Sequence, residues 1–478
     1  MKFLFLLFLF CCAIDLTVHA QTGYTVLPDS ANRIADSSAK LKVDRILITG
    51  NRKTKSYIII REMKFKPGWY TPAAQLAENL KLSQQLVYNT NLFSEVKLEP
   101  VFKDSSAIDI KVIVKERWYI YPTPQFQLVD RNFNEWINVY HADLDRVIYG
   151  AKFAHYNFSG RRDQLRIFLL NGYARNFAVS YISPYSNRTL TEGFGIAASF
   201  TQNREIAYAT SLGNKLRQYN NQHNFVRNTF SASASYIARK GYFNRHSYQL
   251  SFTYMNVEDS VVKFYNPSYF NSAKPFREFL DMGYNYSYLN VNNINYPLTG
   301  KSYGVSVLKR GLGFTGGTNM LQLDAAYNRY FDLGKKWYGS IQSGTKLKLP
   351  FRQAYINQRA FGFNDFNLRG LEYYVVDGVA AMLTKATLKR KLFAFDIPVP
   401  VKNKIVQKIP FAFFAKTFAD AGYVYNEAPA RAMLNNRFLY TGGFGVDLIT
   451  LYDINLKFEY SFNQLGEKGL FLHLKGGF

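Results

Sequence analysis

Three short patterns carry residue types that can do chemistry. Gly300-Lys-Ser-Tyr-Gly304 matches the G-x-S-x-G turn that presents a nucleophilic serine. That use needs a sharp strand-to-helix turn, whereas Tyr303, Val305 and Val307 alternate and lead into a strand. Gly311-Leu-Gly-Phe-Thr-Gly316 matches the glycine pattern that lets backbone N–H groups approach a dinucleotide pyrophosphate. No helix follows it and no β-α-β unit surrounds it, so it reads as a glycine-rich loop. His141-Ala-Asp-Leu-Asp145 places an imidazole beside two carboxylates. Three side chains in a hairpin loop are too few to close a zinc or calcium site. None of the 6 histidines stands at H-x-x-x-H spacing. No catalytic constellation emerges. The sequence therefore reads as a non-enzyme with no catalytic residues, no metal and no cofactor.

Export sets the compartment. Met1–Ala20 has a basic n-region at Lys2, an apolar core over Phe3–Ile14, and Val18-His-Ala20 as a small-residue cleavage signal. Cleavage is expected between Ala20 and Gln21. Both cysteines, Cys11 and Cys12, lie in this leader, so a cleaved chain has neither disulfides nor thiolate chemistry. Lys2 balances Asp15, and the formal charge of +25 from 59 Lys+Arg against 34 Asp+Glu stays with the rest of the chain. The basic residues are dispersed, with no tract longer than Lys389-Arg-Lys391. Dispersal and export argue against a nucleic-acid partner and for an electropositive lumen or basic loops at anionic lipid headgroups.

Past residue 20 no apolar run approaches the roughly 18 residues of a spanning helix. The chain is nevertheless rich in Tyr (36) and Phe (41), and only 19% charged, which excludes a disordered polymer. Two classes remain: a large secreted β protein and a membrane β-barrel.

Residues 21–40 are polar and read as a linker. Residues 41–118 form a mixed α/β unit. Leu41–Thr49 is a strand. Thr54 is placed to cap a helix over Lys55–Met63, and Thr71-Pro72 to open a second one reaching about Tyr88, with Pro at its first position. Glu95–Phe102 is a strand, and in Ile108–Glu116 apolar Ile108, Ile110, Val112 and Val114 alternate with Asp109, Lys111 and Lys115. The order is β-α-α-β-β. From residue 119 to 478 the texture changes to recurring alternation between polar turns. Ile454, Leu456, Phe458, Tyr460 and Phe462 share one face, with Asn455, Lys457, Glu459 and Ser461 opposite. The minority face is Asn, Ser, Thr, Gly and scattered Lys, as suits a wet lumen. A lipid-facing wall with every backbone group paired demands closure. At roughly 22 residues per strand and loop the segment makes about 16 strands.

These segments carry a resemblance. Ile46-x-Ile48-x-Gly50-Asn51, Thr54, Gly68, Asn91-Leu-Phe93 and Val112-Ile-Val114-Lys-Glu116 look like a POTRA (polypeptide-transport-associated) domain. Asn157-Phe-Ser-Gly160, Ser183-Pro-Tyr185, Tyr296-Pro-Leu-Thr-Gly300, Leu368-Arg-Gly-Leu371 and Phe418-Ala-Asp-Ala-Gly422 resemble the strand-junction motifs of the BamA/TamA-like outer-membrane assembly and secretion family, in a short single-POTRA form. The fold expected is mainly β: a transmembrane antiparallel β-barrel of about 16 strands behind one small α+β POTRA-like domain.

The resemblance also implies sites. Arg369, with Gly370 turning the chain, would fold a reentrant loop into the barrel and pair with Asp420. Leu371 stands where the family usually has an aromatic residue, and Thr387-Leu-Lys-Arg-Lys391 where a Glu-x-Arg motif is expected. Val96, Leu98 and Phe102 would mark a strand edge that pairs with a client peptide. A seam between the first strand, about Tyr121–Val129, and the last, Gly469–Phe478, is weakened by Pro122 and Pro124 and by Gly476 and Gly477. The terminal Phe478 resembles the signal that outer-membrane proteins present for their own assembly.

The function implied is outer-membrane protein insertion or polypeptide translocation, by strand pairing at the POTRA edge and the seam. Partners would be unfolded outer-membrane proteins or secreted polypeptides, outer-membrane lipids and assembly-complex subunits. The location implied is the outer membrane of a Gram-negative bacterium, with the POTRA-like domain in the periplasm. A passive porin, or a structural accessory subunit of an assembly complex, remains an alternative on the residues alone.

Overall fold

A computed structural model describes residues 40–128, 137, 141–221, 223–312, 318–363, 366–399, 407–429 and 432–475. The leader with Ala20 and Gln21, most of the linker, part of the loop at 311–316, and Gly476, Gly477 and Phe478 lie outside the described residues. Among the described residues no helix is long and apolar enough to cross a membrane.

The first unit contains β1 (Lys40–Thr49), α1 (Ser56–Glu62), β2 (Tyr70–Pro72), α2 (Leu76–Tyr88), β3 (Phe93–Phe102) and β4 (Ala107–Glu116). The sheet order is β2-β1-β4-β3, with β1 and β4 parallel. Alternation drives it: Ile108, Ile110, Val112 and Val114 of β4 are buried in a core with Leu41, Val43, Ile58, Ile59 and Val87. Two local expectations fail here. Pro72 does not open α2. Tyr70–Pro72 pairs with Lys40–Lys42 instead, an edge position where a missing N–H is tolerated. The order is therefore β-α-β-α-β-β. Thr54 does not cap α1 either, whose N-cap is Lys55 without a side-chain bond. The Thr54 hydroxyl lies 3.1 Å from Tyr119 Oη and accepts from Asn157 Nδ2 at 2.9 Å, because here it is buried against the second unit.

The second unit is an antiparallel sheet of 16 strands. They are β5 (Ile120–Leu128), β6 (Val147–Tyr156), β7 (Gln164–Gly172), β8 (Ala174–Ser183) and β9 (Glu192–Asn203). A loop hairpin, β10 (Glu205–Thr210) with β11 (Leu216–Asn220), stands outside the sheet. Then follow β12 (Arg227–Lys240), β13 (Asn244–Val257), β14 (Phe276–Val291), β15 (Gly300–Arg310), β16 (Met320–Gly334) and β17 (Trp337–Leu349). The loop after β17 carries the short pair β18 (Arg359–Phe361) and β19 (Val376–Asp377). The sheet ends with β20 (Ala380–Pro398), β21 (Lys408–Tyr425), β22 (Phe438–Ile449), β23 (Asn455–Asn463) and β24 (Lys468–Lys475). Gly300–Gly304, the G-x-S-x-G match, is thus strand.

Period-two patterning gives this sheet, curled into a barrel, a polar interior. In β23, Asn455, Glu459 and Ser461 are buried while Phe458 and Phe462 are exposed. In β21, Phe414, Lys416, Phe418 and Asp420 all point inward and are buried. The curl is complete enough that Trp118 N, just before β5, donates to Tyr452 Oη in the β22–β23 turn at 3.2 Å.

Candidate functional site

The chain between β17 and β20 enters the lumen. Arg369 Nε donates to Asp420 Oδ2 at 2.9 Å and its backbone N–H to the same oxygen at 3.0 Å, while Nη2 pairs with Oδ1. The fork is satisfied elsewhere too: Nη1 donates to Thr387 Oγ1 at 3.1 Å, Nη2 to the Ala386 carbonyl at 3.3 Å, and the guanidinium lies 4.0 Å from the Phe418 ring centroid. Thr387, which departs from the family's motif, therefore supplies an acceptor. Gly370 has φ +87°, and a Cβ there would meet Ser461 Cβ at 2.9 Å, so only glycine fits the turn. Leu371 is buried with Leu368, Tyr374 and Leu439.

Residues given no site role in the sequence extend this cluster. Lys416 Nζ lies 2.5 Å from Glu459 Oε1 and also pairs with Asp447. Lys389 Nζ is 3.2 Å from Asp447 and 4.0 Å from the Tyr296 ring centroid, and Tyr296 Oη donates to Asp447 at 2.7 Å. His473 Nε2 of the last strand is 3.2 Å from Glu459 and 3.5 Å from Glu372 of the reentrant loop. A chain of charges thus runs from the reentrant loop to the β14–β15 turn. Asp420 and Lys416 share a face at spacing four, which was the one local hint of it.

The α/β unit is bolted to one rim of the barrel. Glu62, at the end of α1, receives Arg239 Nη1 and Nη2 of β12 at 2.5 and 2.7 Å, and Tyr185 Oη at 2.9 Å. Burial alone would push this carboxyl up. The charge and hydrogen bonds of Arg239, with Arg61 and Arg162 behind it, overcome that and hold it at about 2. Arg117 Nη1 donates to the Tyr452 carbonyl at 3.0 Å and Nη2 to Asp453 at 2.8 Å. Asn295 Nδ2 donates to Asn91 at 3.0 Å, and Lys55 N to the Gly160 carbonyl at 3.0 Å. These contacts give the junction motifs a physical purpose: Asn157–Gly160, Ser183–Tyr185 and Tyr296–Gly300 fall in or border the turns facing the α/β unit. A Cβ on Gly160, at φ +84°, would meet the Lys53 carbonyl oxygen at 2.3 Å.

Two strand edges lie near this rim. Among the described residues β3 pairs only with β4. Val96 is buried, and Leu98 and Phe102 pack on the same core, so these three side chains face inward. What β3 offers a further strand is backbone, with Glu95, Lys97 and Glu99 on its outer face. Those three line a cleft of about 770 Å³ with Lys115, Trp118 and Lys408. The other edge is the seam. Among the described residues no pairing joins β24 to β5. Leu470, Leu472 and Leu474 of β24 are 68%, 63% and 70% exposed, more than the outward residues of neighbouring β23. Pro122 and Pro124 sit in register with Phe153 and Ala151 of β6. Two residues apart, their nitrogens point to one side. The side away from β6 is the one on which a missing donor breaks no existing ladder.

Residues 41–117 match the POTRA family model, described as a surface antigen variable number repeat. No curated protein matches the chain. The fold is similar to that of BamA from Haemophilus ducreyi lacking POTRA domains 1–3, at 16% identity over 91% of this chain and 84% of that one, with a TM-score of 0.51. It is also similar to CdiB from Escherichia coli, at 10% identity over 92% and 75% of the two chains, with a TM-score of 0.52. Fold and site thus define a POTRA domain joined to an outer-membrane type barrel. The chain resembles BamA and CdiB in fold, with a POTRA domain at residues 41–117 followed by a barrel whose described residues form a 16-stranded sheet.

Proposed function

We propose that the protein lies in a Gram-negative outer membrane with its POTRA domain in the periplasm, and inserts outer-membrane proteins or passes polypeptides across that membrane. Residues 1–20 are removed after Ala20, 21–40 tether the POTRA unit, Gly476 and Gly477 weaken the seam, and Phe478 directs the chain's own assembly. The work is non-covalent. The observation that carries this reading is a pair of strand edges at one rim: β3, free on one side, and the seam, where the described parts of β5 and β24 do not pair. An unfolded client adds to β3 through main-chain hydrogen bonds and then templates on the seam. Arg369 and Asp420 brace the reentrant loop so that the remaining wall stays rigid while the seam is free.

Depletion of the protein followed by outer-membrane proteomics tests the reading. Loss of one or more barrel or secreted proteins is the expected result, and an unchanged outer-membrane proteome would refute it. A finer prediction concerns the seam. Pro122→Val with Pro124→Val supplies two backbone donors, each worth about 0.5–1.5 kcal/mol once paired. The double variant is expected to unfold at higher temperature in detergent and to insert clients more slowly. A more stable barrel with undiminished insertion would remove the seam from the mechanism.

A further inference from the structure

The β20–β21 hairpin is longer than its neighbours require. Its last pair with β17 is Arg390 with Trp337, yet β20 runs on through residues 391–398. On the other side β22 ends opposite Ala412, yet β21 begins at Lys408. Even after allowing for the stagger of tilted strands, on the order of 20 Å of two-stranded ribbon overhangs the POTRA-side rim.

The overhang is apolar on one face. Cross-strand pairs Phe393–Phe413 and Phe395–Phe411 stack at ring-centroid distances of 4.7 and 5.5 Å, and Ile397 pairs with Ile409 beyond them. Phe393, Phe395 and Ile397 are 53%, 46% and 47% exposed. A one-residue bulge at Leu392 sets this face. Above it, Ala386, Leu388 and Arg390 are exposed and face outward. Unbroken alternation would next turn Leu392, Ala394 and Asp396 outward. The bulge instead brings Phe393, Phe395 and Ile397 into phase with Ile409, Phe411 and Phe413. The apolar sheet face is therefore continuous with the outer, lipid-facing wall and not with the lumen. Where it leaves the wall, Arg390 lies over the Trp337 ring at 5.3 Å, the aromatic and cationic pairing typical of the membrane–water boundary. Lys408 sits at the far end, 2.5 Å from Asp396.

We propose that this hairpin is a lipid-binding insert: it lies in the headgroup and upper acyl region of the leaflet on the POTRA side, with its four phenylalanine rings toward lipid. An exposed slab of this kind is a liability in water and a ready anchor at an interface. Its far end also lines the cleft on the outer face of β3, through Lys408 opposite Glu95, Lys97 and Glu99. The insert thereby holds the free POTRA edge beside the bilayer surface. That last consequence rests on the function proposed above; the lipid contact does not.

The test uses the full chain with Cys11 and Cys12 replaced by serine, and Phe395→Cys carrying an environment-sensitive fluorophore. It is reconstituted in phosphatidylethanolamine–phosphatidylglycerol vesicles bearing nitroxide lipids at the headgroup, the upper chain or the chain end. Blue-shifted emission is expected, with most of the signal quenched by headgroup and upper-chain nitroxides and little by chain-end ones. Ser306→Cys, in the lumen, should resist quenching by all three. Phe411→Cys reports on the same face if Phe395→Cys does not fold. Water-like, unquenched emission at both positions would overturn the proposal. So would disulfide-linked dimers formed on mild oxidation of the unlabelled cysteine variants, together with no lipid quenching of the labelled ones, which would make the face a contact between copies. Neither result bears on client insertion, so the two readings fail separately.

Discussion

Arg369→Ala is expected to release the reentrant loop from the barrel wall and to lower the stability of the barrel by about 3–5 kcal/mol, the usual cost of breaking a buried ion pair from one side. The Asp420 side chain is 0% exposed, so removing the guanidinium strands a carboxylate where water cannot compensate. Arg369→Lys keeps the charge but not the planar fork that reaches both carboxylate oxygens, Thr387 and the Ala386 carbonyl. It should recover only part of the loss. Arg369→Met combined with Asp420→Leu removes both charges and strands no carboxylate, leaving only the Arg369 backbone N–H without its acceptor. Thermal stability should then return toward that of the parent while the loop stays unanchored. Protease cleavage after Tyr373, which is 73% exposed, reads loop release, and the temperature at which the folded band is lost on a gel reads the barrel. Separation of the two readouts in the double variant is the signature of a brace. Unchanged loop protection in Arg369→Ala would sink that role.

Alternation made the fold legible. The phase of Ile108–Val114 and of Ile454–Phe462 says which side chains are buried without reference to anything distant. Propensity rules were less dependable at Thr54 and Pro72, because each has a tertiary partner that outbids the local one: Tyr119 and Asn157 for the hydroxyl, β1 for the proline segment. The pairing of Arg369 with Asp420 spans 51 positions and came from family likeness, since no spacing rule reaches that far. Glu62 was illegible for the same reason, its partner Arg239 being 177 positions away. In sequence it is one acid after an isoleucine run. The overhanging hairpin shows a third limit. Phe393, Phe395 and Ile397 plainly alternate, but the bulge that decides which way they face appears only when two strands are paired.

Glu62→Ala is expected to undock the POTRA domain. It leaves Arg239 and Arg61, whose side chains are 4% and 9% exposed, buried without their shared acid. A cost of about 3–5 kcal/mol follows for an uncompensated buried charge. The pH dependence gives an independent measure. The carboxyl is held at about 2 against an ordinary 4.5, a difference worth about 3 kcal/mol. Because the value is depressed on folding, the stabilisation is fully present above 4.5 and is lost as pH falls toward 2. The dock should therefore be unaffected from neutrality to pH 5, weaken below pH 4.5, and open near pH 2. Spin labels at Lys81 on α2 and Lys240 at the end of β12 report this as a distance, narrow when docked and broad when released. Glu62→Gln should be broad at every pH, since the amide carries no charge to set against Arg239. Pairing Glu62→Leu with Arg239→Met should narrow the distribution relative to either single change, for the contacts of Arg117 with Asp453 and Asn295 with Asn91 remain. A narrow distance in Glu62→Ala, or release of the parent already at pH 5, would show that those other contacts alone hold the domain and that the buried acid is incidental.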